Sequence, residues 1–221
     1  MTPPHPVAAF FDLDRTLLTV NSGSTWVRSE LRAGRIGAWH ALEGALYLLA
    51  YKFFALDMER LFNRALVTVR GLDEETLRRR TREWFGREVV PRVAPGGLRQ
   101  VAEHRQQGHQ LVLLTSSSLY ESEAAVEHFG FDGLLCTRYQ VIDGRLTGQV
   151  VTPICFGPGK VLYAERHAAE HGIDLARSFF YTDSFTDLPM LERVGHPVAV
   201  HPDPRLRRIA RRRGWPVVDW R

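Results

Sequence analysis

The sequence predicts an α/β fold: a Rossmann-like parallel sheet with helices on both faces, an inserted all-helical block and a small β-hairpin. Three observations predict it. Short apolar runs that each close on a polar residue recur along the chain, separated by stretches of helical periodicity. One long stretch, residues 19–91, contains no such run. Asp143-Gly144 stands between alternating apolar residues, the pattern of a two-residue hairpin turn.

The first run, Val7 to Phe11, is too short for a helix and ends at Asp12, so it reads as a buried strand. Gln110 to Leu114 follows the same rule and ends at Thr115, and Ser178 to Thr182 ends at Asp183. Pro197 to Val200 and Pro216 to Val218 complete the strands. Helical patterns fall near Leu98–Gln107, Leu119–Phe129, Lys160–His171, Asp187–Val194 and Arg205–Arg213. Strand alternating with helix is the signature of a parallel sheet. In the inserted block, helices are expected near Ser24–Ala33, Ile36–Phe54, Met58–Val69 and Glu74–Phe85, the last with Asp73 as its N-cap. Gln140 to Val151 reads as the hairpin. The expected domains are a core of residues 1–18 and 92–221 and a helical cap of residues 19–91.

The 221 residues are 44% apolar and 24% charged, which suits a globular chain with a real core and excludes a disordered one. Two cysteines, Cys136 and Cys155, cannot build a disulfide framework, and the N-terminus lacks a charged-then-apolar signal pattern. A reducing, cytoplasmic setting is expected. The net charge is +4, and all but two of the 29 basic residues are arginine. That balance suits anionic partners without choosing among them. It makes Lys52 and Lys160 conspicuous. Ala41 to Leu56 is the most apolar segment, but Glu43 and Lys52 interrupt it and it falls short of a membrane span. A core helix is the expected reading, and contact with lipid through this segment is the alternative.

In open parallel sheets, ligands bind outside the carboxyl ends of the strands. Asp12 and Asp14 follow the first strand, Thr115 the second, and Asp183 and Asp187 the third. Three strands thus deliver polar residues to one edge. Asp12 and Asp14, two apart in a stretch read as extended, would point the same way. Close carboxylates repel and favour a cation, and with Asp183 they form an oxygen-rich site suited to Mg²⁺. Thr115, followed by Ser116 and Ser117, reads as a hydroxyl at a strand end leading into a helix N-terminus, an anion cradle or a plain cap. Lys160, after Gly157-Pro158-Gly159, suits a phosphate oxygen or plain solvent. Asp187 would hold Lys160 by a charge-assisted bond or answer its own helix dipole.

Together these residues resemble the haloacid dehalogenase-like hydrolase superfamily, subfamily IB, in its phosphoserine phosphatase-like branch. Asp12-Leu-Asp-Arg-Thr16 is similar to its first motif, Thr115 to the second, Lys160 to the third, and Asp183-Ser-Phe-Thr-Asp187 to the fourth. The helical block resembles the C1-type cap. The resemblance implies that Asp12 is the nucleophile, forming an aspartyl phosphate, and that Asp14 is the general acid and base. It implies that Asp12, Asp183 and the backbone carbonyl of Asp14 hold Mg²⁺. Thr115, Ser116 and Lys160 would bind phosphoryl oxygens, with Thr16 and Asp187 in support. It sets Asn21 where phosphoserine-specific enzymes carry a glutamate, and places their substrate-binding arginine near Arg64 or Ala65, so these positions are candidates for substrate selection. Trp26, Trp39, Tyr47, Tyr51 and Phe54 in the block suggest a leaving group less zwitterionic than serine.

The expected function is therefore a Mg²⁺-dependent phosphatase acting on a small-molecule phosphate ester. A phosphotransferase to another alcohol shares every motif and stays open, as do phosphoserine and histidinol phosphate as substrates. A different class, a nucleic-acid- or lipid-binding module, would use the arginines from Arg205 to Arg213 or the segment Ala41–Leu56. No nucleic-acid partner is expected, because no recognition motif accompanies the basic run.

Overall fold

Ala8, Ala9, Phe10 and Phe11 have no exposed surface, so this four-residue strand, β1, is apolar on both sides, as a central strand of a parallel sheet must be. The computed structural model describes residues 6–37 and 58–221. Around β1 the described strands are β2 (Gln110–Ser118), β3 (Gly133–Thr137), β4 (Tyr139–Ile142), β5 (Arg145–Val150), β6 (Phe179–Thr182), β7 (His196–Val200) and β8 (Val217–Val218). Six form a parallel sheet in the order β3-β2-β1-β6-β7-β8, and β4 and β5 form a separate antiparallel hairpin. The described α-helices are α1 (Ser22–Arg32), α2 (Met58–Leu66), α3 (Glu74–Trp84), α4 (Pro95–Gln106), α5 (Leu119–Phe129), α6 (Pro158–His171), α7 (Leu188–Arg193) and α8 (Pro204–Arg213).

The period-2 alternation of β1 divides the core. Ala9 and Phe11 join Leu111 and Leu113 of β2 and pack on Val101 of α4 and Ala124, Ala125 and Phe129 of α5. Ala8 and Phe10 join Val112 and Leu114 on the opposite face and pack on Ala164 and Ala168 of α6, Met190 and Leu191 of α7, and Leu206 and Ala210 of α8. Burying a side chain such as Phe10 contributes about 2–3 kcal/mol.

The sequence expectations hold for the sheet and most helices, with differences. β3 is a strand that apolar periodicity did not announce. β2 runs on to Ser118, because a register shift against β3 between Leu114 and Ser118 takes up the extra residues. α3 starts where expected, with the Asp73 carboxylate accepting from the Thr76 amide at 2.8 Å. Trp26, half-buried, meets Trp84 edge-to-face at 5.1 Å and packs on the core, while also lining a hollow with Glu30 and Arg80. The expected helix near Ile36–Phe54 lies largely outside the described residues, as do the apolar segment Ala41–Leu56 and Trp39, Tyr47, Tyr51 and Phe54. Among the described residues, no helix is long and apolar enough to cross a membrane.

His104 of α4 carries a pH dependence. Its ring is 2% exposed, with Nε2 at 2.8 Å from the Tyr181 hydroxyl and Nδ1 at 2.7 Å from Nδ1 of His109. Burial, then the neighbouring His109, lowers its pKa to about 4. The unfolded chain takes up a proton near the ordinary histidine value of about 6.5. The stability contributed is therefore complete above that value and drains away as pH falls toward 4, up to about 3 kcal/mol. Thermal melts between pH 7.5 and 4.5 should show a steeper decline in the wild type than in His104→Asn. Parallel curves would exclude His104 as the source.

Candidate active site

Register alone brings three strand ends together. Phe11 pairs with Leu113 of β2 and with Tyr181 of β6, so Asp12, Thr115 and Asp183 emerge along one edge of the sheet. The Asp12 amide donates to the Tyr181 carbonyl at 2.9 Å. Beyond Asp12 the chain does not stay extended, contrary to the sequence expectation. Leu13–Leu17 coil into a tight turn in which Arg15 takes a left-handed φ of 56°, while Asp14 alone keeps an extended conformation. Thr16, fully buried, then links two strand ends: its hydroxyl donates to Asp12 Oδ2 at 3.4 Å and accepts from the Asp183 amide at 3.1 Å.

Lys160 reaches this edge from the first turn of α6. The segment ahead of it is tightly seated, since a Cβ at Gly159 would collide with the Ile154 carbonyl. Lys160 is only 2% exposed. Its ammonium donates to Asp12 Oδ1 at 2.8 Å and to Asp187 Oδ2 at 2.7 Å, and Thr182 Oγ1 donates to the same Asp187 oxygen at 2.7 Å. Asp187 is the residue preceding α7 but makes no capping bond, so its carboxylate serves the lysine. Burial opposes the charge on Lys160, yet Asp12 and Asp187 outweigh it and hold the ammonium's pKa above its usual value. For Asp12 the balance is reversed: burial and the charges of Asp187 and Asp14 push its pKa up against the pull of Lys160.

Asp14 faces the helical block. Its Oδ1 accepts from the Ser22 amide at 2.8 Å and the Ser22 hydroxyl at 2.5 Å, and its Oδ2 accepts from Asn21 Nδ2 at 2.7 Å. Asn21 also caps α1 by accepting from the Ser24 amide, so its side chain is committed at both ends. It supports Asp14 rather than offering a free amide. Arg64 lies on α2 and lines a hollow of about 510 Å³ against the hairpin, together with Asn63, Arg70 and Gln140. None of Asp12, Asp14, Thr115, Lys160 or Asp183 lines that hollow.

Thr115 is 1% exposed, and its hydroxyl accepts from the Ser117 amide at 3.1 Å. It does not lead directly into a helix, as the sequence suggested, because β2 continues to Ser118 and Ser118 caps α5. Ser116, half-buried, sits within that extension.

The donor set fits a divalent cation. Burial, followed by the charges of Asp12 and Asp187, pushes Asp183 up to about 8. Its carboxylate oxygens have no hydrogen-bond donor among the described residues. Against Asp12, Asp183 and Asp187 stand the ammonium of Lys160, bonded to Asp12 and Asp187, and the charge of Arg15 acting on Asp183, so acids outnumber cations at this edge. Among the described residues no three His, Cys, Asp or Glu side chains form a ready cage. A cation that keeps its waters and takes few carboxylates matches such a set. The Asp14 carboxylate is oriented by Ser22 and Asn21.

A family model described as haloacid dehalogenase-like hydrolase matches residues 9–192. The chain belongs to this hydrolase family. The hydrolase is 34% identical over 217 residues to the inhibition of morphological differentiation protein of Streptomyces azureus, spanning 96% of this chain and 78% of that protein. It is 28% identical to a histidinol-phosphatase of Neisseria meningitidis, spanning 96% of this chain and 98% of the relative. A crystal structure of a Bordetella pertussis protein of unknown function superposes with a TM-score of 0.90 at 31% identity, covering 98% of this chain and 99% of that one. A substrate-bound phosphoserine phosphatase superposes at 0.69 with 18% identity, covering 93% and 91%, a likeness of fold.

Proposed function

We propose that the hydrolase is a Mg²⁺-dependent phosphomonoester phosphatase acting on a small-molecule phosphate ester through Asp12. The observation that carries this reading is the buried Lys160 bridging Asp12 and Asp187 at the strand edge that also presents Asp183 and Thr115. The histidinol-phosphatase relative, matched over nearly its whole length, supports a phosphate ester as substrate.

In this reading an Asp12 oxygen attacks phosphorus, the bond to the leaving alcohol oxygen breaks, and Asp14 gives that oxygen a proton. Asp14 then takes a proton from water as the water attacks phosphorus, and the bond to Asp12 breaks to restore the carboxylate. The covalent intermediate divides one hard step into two easier ones. Lys160 holds Asp12 in place and offsets the repulsion between a carboxylate and a phosphate dianion. Thr115 and Ser116 would hold the phosphoryl oxygens, and Thr16 fixes the spacing of Asp12 and Asp183. Asp12, Asp183 and the Asp14 backbone carbonyl would hold Mg²⁺. Its contribution when bound is neutralisation of charge on the nucleophile and the phosphoryl oxygens.

Residues 19–91 would act as a cap over a core formed by 1–18 and 92–221, excluding water during the first transfer. Arg64 lines the hollow against the hairpin, apart from Asp12 and Lys160, and is given no substrate contact in this reading. Phosphoserine is not the leading substrate, since Asn21 supplies no carboxylate for an ammonium and is already bound to Asp14. A cytoplasmic setting suits the two free, buried cysteines.

Phosphate release should be followed from histidinol phosphate, phosphoserine, glycerol phosphates and phosphocholine, with Mg²⁺ and with EDTA. Turnover of at least one ester should fall more than about tenfold in EDTA and return with Mg²⁺. An unchanged rate in EDTA would remove the metal from the reading.

A further inference from the structure

Asp14 is supported by a buried acid that the chemistry above does not use. Ser22, fully buried, donates its hydroxyl proton to Asp14 Oδ1. Behind it stands Glu121, in the first turn of α5, only 7% exposed, its carboxyl beside the Ser22 hydroxyl but not hydrogen-bonded to it. Glu121 Oε1 is buried with no hydrogen-bond partner among the described residues. The charge of Asp14 on one side works with burial against ionisation of Glu121, and Tyr139 of β4 lies on the other side.

A buried polar atom left without a partner costs stability that an apolar side chain of similar size would not. Helix-dipole stabilisation does not explain the burial, because an exposed acid in the first turn serves that purpose as well. Hydrogen-bond counting supplies a reason. Ser22 has one hydroxyl proton, and Asp14 receives it. The Ser22 oxygen is left as an acceptor, and a carboxyl O–H of Glu121 is a donor that would fix its rotamer.

We infer that Glu121 is a positioning residue that acts through Ser22 to hold the Asp14 carboxyl in the orientation needed for proton transfer. The inference rests on Asp14 being the acid and base of the proposed phosphatase reaction. Its consequence is selective. An ester whose leaving group needs a proton depends on how well Asp14 is aimed, whereas p-nitrophenolate leaves without one.

The test compares kcat/KM for phenyl phosphate and p-nitrophenyl phosphate, which reports the steps through release of the alcohol. Glu121→Leu should lower the phenyl phosphate value about tenfold and the p-nitrophenyl phosphate value less than about threefold. Its melting temperature should equal or exceed that of the wild type. Glu121→Gln keeps a donor toward Ser22 and should stay within about threefold of the wild type on both esters. Ser22→Ala should reproduce Glu121→Leu, and the double variant should lose nothing further. If Glu121→Leu melts early, the ester dependence of Ser22→Ala and the rescue in Glu121→Gln decide. Equal losses on both esters, or a Glu121→Gln as impaired as Glu121→Leu, would overturn the inference while leaving a phosphatase. A wild type that cleaves neither ester nor any compound of the phosphate-release screen would overturn the phosphatase reading, and this inference with it.

Discussion

Asp12→Asn is expected to lower phosphate release about a thousandfold or more while the protein melts no earlier than the wild type. The amide keeps the shape of the carboxylate and can still accept a bond from Lys160, but it cannot attack phosphorus. The stability side follows from charge. Burial and the neighbouring acids raise the pKa of Asp12 in the folded protein. At neutral pH its ionised form therefore weighs against folding, and the loss grows as pH rises above the unfolded value of about 4. Asparagine carries no such penalty. Phosphate release and a thermal melt on the same preparation separate chemistry from unfolding. Wild-type turnover in this variant would place the nucleophile elsewhere.

Lys160→Met should be inactive and unstable together. Removing the ammonium leaves Asp12 and Asp187 facing each other inside the protein without the cation that both contact. Breaking a buried ion pair from one side costs about 3–5 kcal/mol. Asp12, whose pKa burial already raises in the folded protein, loses the neighbouring cation that opposes the rise. The variant should thus be closest to wild-type stability at low pH and lose ground as pH rises toward 8. Urea midpoints at pH 5 and pH 8 measure this. Adding Asp187→Asn removes one stranded charge and should return part of the stability but none of the turnover, a separation that a double-variant cycle reads directly. If Lys160→Met unfolds like the wild type at pH 8, the ion pairs are not what holds this edge.

Much of the architecture was legible because central parallel strands are apolar on both faces. Val7–Phe11 and Gln110–Leu114 announce themselves in that way, and the polar residue ending each run marks the edge where ligands bind. Lys160 was legible through scarcity, in a chain that otherwise uses arginine. β3 was not, since Gly133-Leu-Leu-Cys-Thr137 is a short edge strand with only its last two residues buried. The path after Asp12 is not legible in the sequence, because a left-handed Arg15 follows no propensity; the closure of the turn imposes it. Thr115 lost its expected helix when a register shift lengthened β2. Glu121 carried no signal, because a glutamate in the first turn of a helix reads as an ordinary dipole-facing acid until its burial is seen. The committed state of Asn21 was equally invisible, since both its partners come from folding of the loop around Asp14.

The seating of Gly159 bears on how this scaffold can change over time. A residue without chemistry of its own fixes the approach of the lysine, since anything larger pushes the helix away from the Ile154 backbone before any charge is altered. Variation that retunes the enzyme toward new esters is therefore free to explore the helical block and the hairpin, while the peptide preceding the ammonium is closed to it. Inheritance at this position is dictated by available space, and the reaction depends on a hydrogen atom standing where every other side chain would begin.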